Sequence, residues 1–229
     1  MEKKGGFSVK LLISALTKYL AGILLMGLLL FLPAGTLNYP GGLLFCGLLF
    51  VPMFLLGIVL FLKAPALLEK RLRSKEERSE QKQVVGLSAL MFVGGFVLAG
   101  LDFRFGWTTV PTWIVTIAAI LLLVSYGLYA EVMRENAWLS RTVEVQDGQT
   151  VVDTGLYGIV RHPMYAVTTL LFLSMPLVLG SWIAFTVFLI YPALMVKRIK
   201  NEEALLEEAL PGYRDYQNKV RYRMIPFLW

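Results

Sequence analysis

Cysteine and histidine are almost missing from this chain of 229 residues, with Cys46 and His162 the single example of each. A lone cysteine makes no intrachain disulfide, and one histidine cannot furnish the clustered ligands of a structural zinc site. No Gly-x-Gly occurs, so the dinucleotide fingerprint of a Rossmann domain is absent. Charge is scarce at 17% of residues, while apolar residues reach 57%. That exceeds the ~45–50% of an ordinary soluble domain, a figure that also counts glycine. No internal repeat or low-complexity linker interrupts the chain, and its length suits one compact domain.

What is abundant is apolar sequence in blocks. A helix needs about 20 apolar residues to cross a bilayer. Leu11 to Leu32, Gly42 to Leu62, Val84 to Leu101 and Val110 to Val132 meet or approach that length. The first is longer than the ~7–15-residue apolar part of a signal peptide, so it reads as a retained span. Met164 to Val196 is too long for one untilted span and carries Gly180-Ser181-Trp182 near its middle. It reads as a hairpin of two helices, with one kinked helix as the alternative. The expected fold is therefore all-α, a polytopic transmembrane bundle of five to six spans. One domain is expected, with residues 1–140 as transmembrane scaffold and 141–229 carrying most of the polar motifs.

The polar connections differ in kind. The segment 63–83 is densely charged and reads as a helical piece lying on the membrane. Between 134 and 160 the chain is polar, with a turn at Asp147-Gly148 between the β-prone stretches 142–145 and 149–152. Of the 22 Lys and Arg residues, only Arg104 falls in the loops 33–41, 102–109 and 180–182. The positive-inside rule then predicts both termini in the cytosol, with the large polar segments gathered there. The net charge of +6 is explained the same way, because the basic residues flank apolar runs and form no stripe for nucleic acid.

The chemistry concentrates between Gln149 and Pro226. Pro163 is suited to the first turn of a membrane-entering helix. It puts Arg161 and His162 at the helix mouth, where the dipole and a guanidinium favour an anion. An arginine anchored to lipid headgroups is the plainer reading of Arg161. Arg198 and Glu202 lie one helical turn apart on one face, just beyond the last apolar run. They read either as an intrahelical ion pair or as polar groups placed at the bundle mouth for function. Tyr213, Tyr216, Tyr222, Phe227 and Trp229 read first as an interfacial aromatic belt.

Three pieces occur in order: Arg161-His162-Pro163-Met164-Tyr165, then Arg198 followed by Glu202-Glu203, then Tyr213 and Tyr216 before Pro226. This pattern resembles the isoprenylcysteine carboxyl methyltransferase family and its wider relatives, including phospholipid N-methyltransferases. The resemblance covers about the last 85 residues; residues 1–140 match only in being transmembrane. It implies S-adenosylmethionine bound without a Rossmann domain, in a pocket falling on Gln149, Thr150, Val151, Val152, Tyr157, His162, Pro163, Met164, Tyr165 and Glu202, with Glu203 beside it. It also implies Glu202 as the acid that holds polar groups of the cofactor and Arg198 as the substrate-facing arginine, with Arg161 a second candidate. One position departs: Val167 stands where the family often has glycine, which narrows the gap for a lipid chain.

The expected reaction joins a cytosolic cofactor to a lipophilic acceptor arriving from the bilayer. A carboxylate acceptor is ionised at neutral pH and needs only an orienting cation. A phospholipid amine would need a base, for which Glu203, Tyr165 and Tyr213 are candidates. The competing readings are an ethanolamine N-methyltransferase, a membrane reductase with a nicotinamide cofactor, and a non-enzymatic scaffold or transporter. The reductase would need a patch for a 2′-phosphate, and none stands out. No metal or nucleic-acid partner is expected, and oligomeric state is left open. The membrane would be a prokaryotic plasma membrane, or the endoplasmic reticulum in a eukaryote.

Overall fold

The computed structural model describes residues 9–72, 79–140 and 144–229, with Lys70, Arg71 and 79–82 described by their backbone alone. The described residues are helical, with no strand: α1 (Val9–Ala34), α2 (Pro40–Lys63), α3 (Pro65–Leu72), α4 (Ser79–Phe105), α5 (Thr112–Glu135), a 3₁₀ turn (Gly155–Gly158), α6 (Pro163–Val178), α7 (Trp182–Phe188), α8 (Ile190–Ala209) and α9 (Tyr213–Lys219).

Local chemistry sets these boundaries. Pro40 and Pro163 begin α2 and α6, where a missing N–H and a fixed φ are no handicap. Ser181 caps α7 by accepting the N–H of Ala184 at 3.0 Å. Gly180 turns the chain between α6 and α7 at φ 82. The expected hairpin is thus present, and its second arm is itself divided at Leu189. Pro192 accounts for that break: it has no N–H for the carbonyl of Phe188, and its ring would clash with that carbonyl.

Five helical stretches are long and apolar enough to cross a bilayer: α1, α2, α4 from Gln83, α5, and α7 with α8. Their outward faces are leucine- and isoleucine-rich, with Leu24, Leu32, Leu90 and Ile120 all exposed. In water such a surface would be untenable; in lipid it is the ordinary outside of an integral membrane protein. The core is a slab in which Leu30, Phe45, Phe96, Leu122, Val178, Phe188 and Ile199 are fully buried. Phe92 anchors it, with its ring 4.7 Å from that of Phe172 and 5.4 Å from that of Phe188. Gly100 allows α1 and α4 to touch, since a Cβ there would stand 2.5 Å from the carbonyl oxygen of Leu30.

The three short loops meet at one end of the bundle. Tyr39 Oη donates to the carbonyl of Leu179 at 2.7 Å, and its ring stacks on Phe103 at 4.3 Å. Asp102 is buried and accepts from the Ser181 hydroxyl, the Thr108 hydroxyl and the Thr108 N–H, the last at 2.7 Å. Thr108 Oγ1 in turn accepts from Trp182 N at 3.1 Å. This latch explains why an acid is tolerated at the end of an apolar helix: both buried carboxylate oxygens meet donors.

At the opposite end the helices differ in length, which opens the site. α6 has 16 residues, about 24 Å at 1.5 Å per residue, less than the roughly 30 Å hydrocarbon core. α7 and α8 together run from Trp182 to Ala209. The mouth of α6 is thus recessed beside a longer helix that overhangs it. The expected surface-lying piece corresponds in part to α3; its continuation through 73–78 lies outside the described residues.

Replacing Asp102 with alanine leaves three donors without their acceptor. The expected loss is roughly 2–4 kcal/mol of stability, with Asp102→Asn costing less. Reversible unfolding in detergent measures this, and an alanine variant as stable as the parent would show that the latch holds nothing.

Candidate functional site

At the recessed end, α5 stops at Glu135, α6 begins at Pro163, and α8 passes overhead carrying Arg198, Glu202 and Glu203. The polar segment 136–160 and the residues after α8 fold over this junction. They enclose a cleft of about 810 Å³, counted out to its open mouth.

Three groups of residues build its walls. Asn136, Trp138, Leu139, Ser140 and Glu144 come from the chain leaving α5. Gln149, Thr150, Val151 and Val152 follow a turn closed by Gln149 N–H on the Gln146 carbonyl at 3.0 Å, with Gly148 at φ 73. The expected Asp147-Gly148 turn is therefore present. The β-prone stretches on either side form no ladder where described, and 142 and 143 lie outside the described residues. Their apolar side chains do a different job: Val145 and Val151 pack on Leu206, Leu210, Tyr213 and Tyr216. The third wall is Arg161, His162, Met164, Tyr165, Glu202, Leu205, Leu206, Leu210, Tyr213 and Tyr216.

The 3₁₀ turn sets the floor. Gly155, at φ 53, sits so close to Glu135 that a Cβ would lie 2.6 Å from its carboxyl carbon. Glu135 accepts the Thr154 hydroxyl at 2.8 Å, which pins the turn to the end of α5. Tyr157 then reaches the cleft, its hydroxyl taking Asn136 Nδ2 at 3.0 Å and its carbonyl taking Tyr216 Oη at 2.7 Å.

Behind the cleft lies a buried charge cluster. The side chain of Glu203 is 3% exposed and accepts from Arg161 Nε at 2.8 Å, Arg223 Nε at 2.7 Å and His162 Nε2 at 3.2 Å. Arg161 Nη1 donates to the carbonyls of Val220 and Arg221 at 2.7 and 2.9 Å. The backbone repeats the attachment: Arg161 N–H donates to Tyr222 O at 2.9 Å and His162 N–H to Arg223 O at 2.7 Å. The segment 220–223 is thereby fastened across the entrance of α6. The carbonyl of Trp229 accepts from the N–H groups of Arg223, Met224 and Ile225, each at 3.0 Å, which curls the following residues back.

A second polar chain faces the cleft. Arg198 Nε donates to Tyr165 Oη at 2.9 Å, with the guanidinium carbon 5.8 Å from the Tyr165 ring centre. The Tyr165 hydroxyl donates to Glu202 Oε2. Glu202 Oε1 stands 3.9 Å from His162 Nδ1, so the histidine lies between the two neighbouring glutamates. Tyr213 is buried, and its hydroxyl has no hydrogen-bond partner among the described residues. Burial, then the Glu203 and Glu202 carboxylates, push this hydroxyl well above the usual tyrosine range. It stays protonated and acts as a donor, not as a base.

Of the residues named from sequence, Gln149, Thr150, Val151, Val152, Tyr157, Arg161, His162, Met164, Tyr165 and Glu202 line the cleft. Pro163, Arg198 and Glu203 are not part of its lining. Pro163 is buried at the start of α6, and Arg198 stands behind Tyr165. Glu203 turns the other way on α8, into the charge cluster. Nor does the mouth of α6 greet an anion as expected, since the Arg161 and His162 N–H groups and most of the Arg161 fork are engaged by the tail and Glu203. Val167 packs with Val132, Met133, Leu139 and Tyr157 against α5, closing that seam. Sequence reasoning missed Asn136, Trp138, Leu139, Ser140, Glu144, Leu205, Leu206 and Leu210, and it read Tyr213 and Tyr216 first as an interfacial belt, whereas both are buried at the cleft wall. The leucines at 205 and 206 carried a signal, since they fall one turn beyond Glu202 on the face it shares with Arg198. The Asn136 loop carried none, because only the fold brings it opposite α8.

Comparison with known proteins adds to this geometry. Residues 114–208 match the isoprenylcysteine carboxyl methyltransferase (ICMT) family. The uncharacterized protein YpbQ of Bacillus subtilis (strain 168) is 31% identical over 98 residues, 42% of this chain and 58% of that protein. The mouse Delta(14)-sterol reductase TM7SF2 is 29% identical over 91 residues, 38% of this chain and 22% of that enzyme. The match thus spans less than two thirds of either relative.

Removing the Glu203 carboxylate as Glu203→Ala strands the buried Arg161 and frees the partly exposed Arg223. The expected loss is about 3–5 kcal/mol, together with faster tryptic cleavage at Arg221 and Arg223 as the tail detaches. Unaltered unfolding and proteolysis would show that the tail is held by other means.

Proposed function

We propose that this integral membrane protein, whose residues 114–208 match the isoprenylcysteine carboxyl methyltransferase family, is an S-adenosylmethionine-dependent methyltransferase acting on the carboxylate of an isoprenylcysteine-like lipid. The observation that carries the reading is the cleft itself, which joins the family segment to the polar chain Arg198–Tyr165–Glu202 at the recessed bundle end.

The donor set suits a nucleoside cofactor. Glu202 is an acceptor-only group suited to an ammonium or to hydroxyls. Tyr157, Tyr165 and Trp138 offer aromatic surface, and Val151, Val152, Leu206 and Leu210 offer apolar surface for a base. The unpartnered Tyr213 hydroxyl is a donor awaiting an acceptor. When bound, S-adenosylmethionine supplies a methyl group whose bond to sulfur breaks as a bond to the acceptor oxygen forms, with no proton to move. The protein's part is positioning and exclusion of water. Arg198, holding the Tyr165 hydroxyl, orients the acceptor from behind the cleft wall.

The state of the three candidate bases supports a carboxylate over an amine. Glu203 already accepts from two arginines and a histidine. Tyr165 donates to Glu202, and Tyr213 holds its proton. An ethanolamine amine would find no ready acceptor for its proton among them. Among the described Lys and Arg residues only Arg104 lies at the far end, which argues for a cleft opening to the cytosol.

The sterol reductase likeness favours one second reading, a membrane reductase. A nicotinamide cofactor with a 2′-phosphate needs a cationic grip. Arg161 is the one Arg or Lys lining the cleft among the described residues, and its Nε and Nη1 are engaged by Glu203 and the tail. That makes the reductase reading the weaker one.

Detergent-purified protein should bind S-adenosylmethionine saturably, with S-adenosylhomocysteine competing, and should methylate prenylcysteine-like acids in preference to phosphatidylethanolamine. Absence of binding by folded protein would refute the reading. Glu202→Ala should weaken cofactor binding roughly 10- to 100-fold, the value of hydrogen bonds to a charged group. Arg198→Ala should reduce turnover more than cofactor affinity; the reverse split would move Arg198 into the cofactor site.

A further inference from the structure

Tyr213 and Tyr216 sit on one short helix, yet their hydroxyls have opposite fates. Tyr216 Oη donates to the Tyr157 carbonyl at 2.7 Å. Tyr213 Oη is buried at the cleft wall with no partner among the described residues. Folding ordinarily does not strand a hydroxyl where an apolar ring would fit as well, because an unmet donor is destabilising. Gly212, at φ 81, turns the chain so that Tyr213 reaches inward at the first position of α9. A ligand in the cleft that brings an acceptor would satisfy it.

The surroundings narrow the acceptor's chemistry. Glu202 and Glu203 are both close enough to Tyr213 to act on it electrostatically, which disfavours an anionic group at that spot. Glu202 faces the same cleft and can only accept; its Oε2 takes the Tyr165 hydroxyl, and its Oε1 lies 3.9 Å from His162 Nδ1, beyond hydrogen-bond distance. A ligand group between Tyr213 and Glu202 must therefore accept from one and donate to the other. A neutral hydroxyl does both.

We propose that Tyr213 and Glu202 are a donor–acceptor pair that reads a ribose hydroxyl of the nucleoside ligand in the cleft. This rests on the methyltransferase reading above and adds Tyr213 to the ligand-binding residues. The tyrosine acts here as a specificity determinant for ribose, independent of the methyl acceptor.

The test uses the full chain in detergent, wild type and Tyr213→Phe. Titration calorimetry is run with S-adenosylhomocysteine and with its 2′-deoxy and 3′-deoxy forms, and thermal unfolding is followed without ligand. Loss of one hydrogen bond should weaken S-adenosylhomocysteine binding by roughly tenfold in Tyr213→Phe. Against one of the two deoxy ligands the two proteins should bind alike, because the partner hydroxyl is gone. Without ligand the variant should melt no lower than wild type, since it removes an unmet donor. Equal affinity of both proteins for S-adenosylhomocysteine overturns the proposal. So does the same penalty for all three ligands, or a lower melting temperature with unchanged affinity, the mark of a purely structural hydroxyl. If folded wild type binds no S-adenosylhomocysteine, the methyltransferase reading falls first and this pairing with it.

Discussion

The buried carboxylate of Glu203 is the interaction on which the working end of this protein depends. An isolated charge in such surroundings would be severely penalised. Here Arg161 and His162, from the entrance of α6, and Arg223, from beyond α9, converge on its two oxygens. The entrance of α6, the middle of α8 and the segment after α9 are therefore registered against each other at one point. Everything that lines the cleft hangs from one of those three parts or packs against them. Such a cluster is weak evidence for net stability, because desolvation offsets much of the attraction. Its value is geometric: it holds the three segments in one register.

Helix length supplies the second constraint. A short α6 beside a long α7–α8 arm recesses the cleft beneath the level where a full-length span would end. A nucleoside ligand reaches such a site from the aqueous side, while a lipid chain reaches it from the surrounding bilayer. Val167 closes the α5–α6 seam. The mismatch is stabilised from the far end, where Asp102, Thr108, Ser181 and Tyr39 tie the loops together and fix the vertical position of the hairpin.

The two adjacent glutamates on α8 illustrate how one turn of helix separates two duties. Glu203 faces the charge cluster and is fully committed there. Glu202 points into the cleft, where Tyr165 links it to Arg198. His162 lies between them and is in reach of both sides.

The helical, membrane-spanning character was legible in the amino-acid order, because apolar length and flanking charge are local properties that lipid reads directly. The hairpin at Gly180 and the helix start at Pro163 were legible for the same reason: glycine and proline act on their own backbone. The division of α7 from α8 followed from Pro192 but is easily overlooked inside an apolar run. Half of the cleft lining was also visible, since Tyr165, His162 and Glu202 occur at motif spacing. Adjacent letters did not reveal that Glu203 turns away from Glu202, that Arg198 stands behind Tyr165, or that Asn136 to Ser140 form the opposite wall. The β-prone stretches around Asp147-Gly148 found no partner strand and instead packed their valines on α8 and α9. Those outcomes belong to tertiary structure alone. Which oxygen a buried guanidinium meets, and which side of a helix faces a cavity, depend on segments dozens of residues apart arriving at the same place.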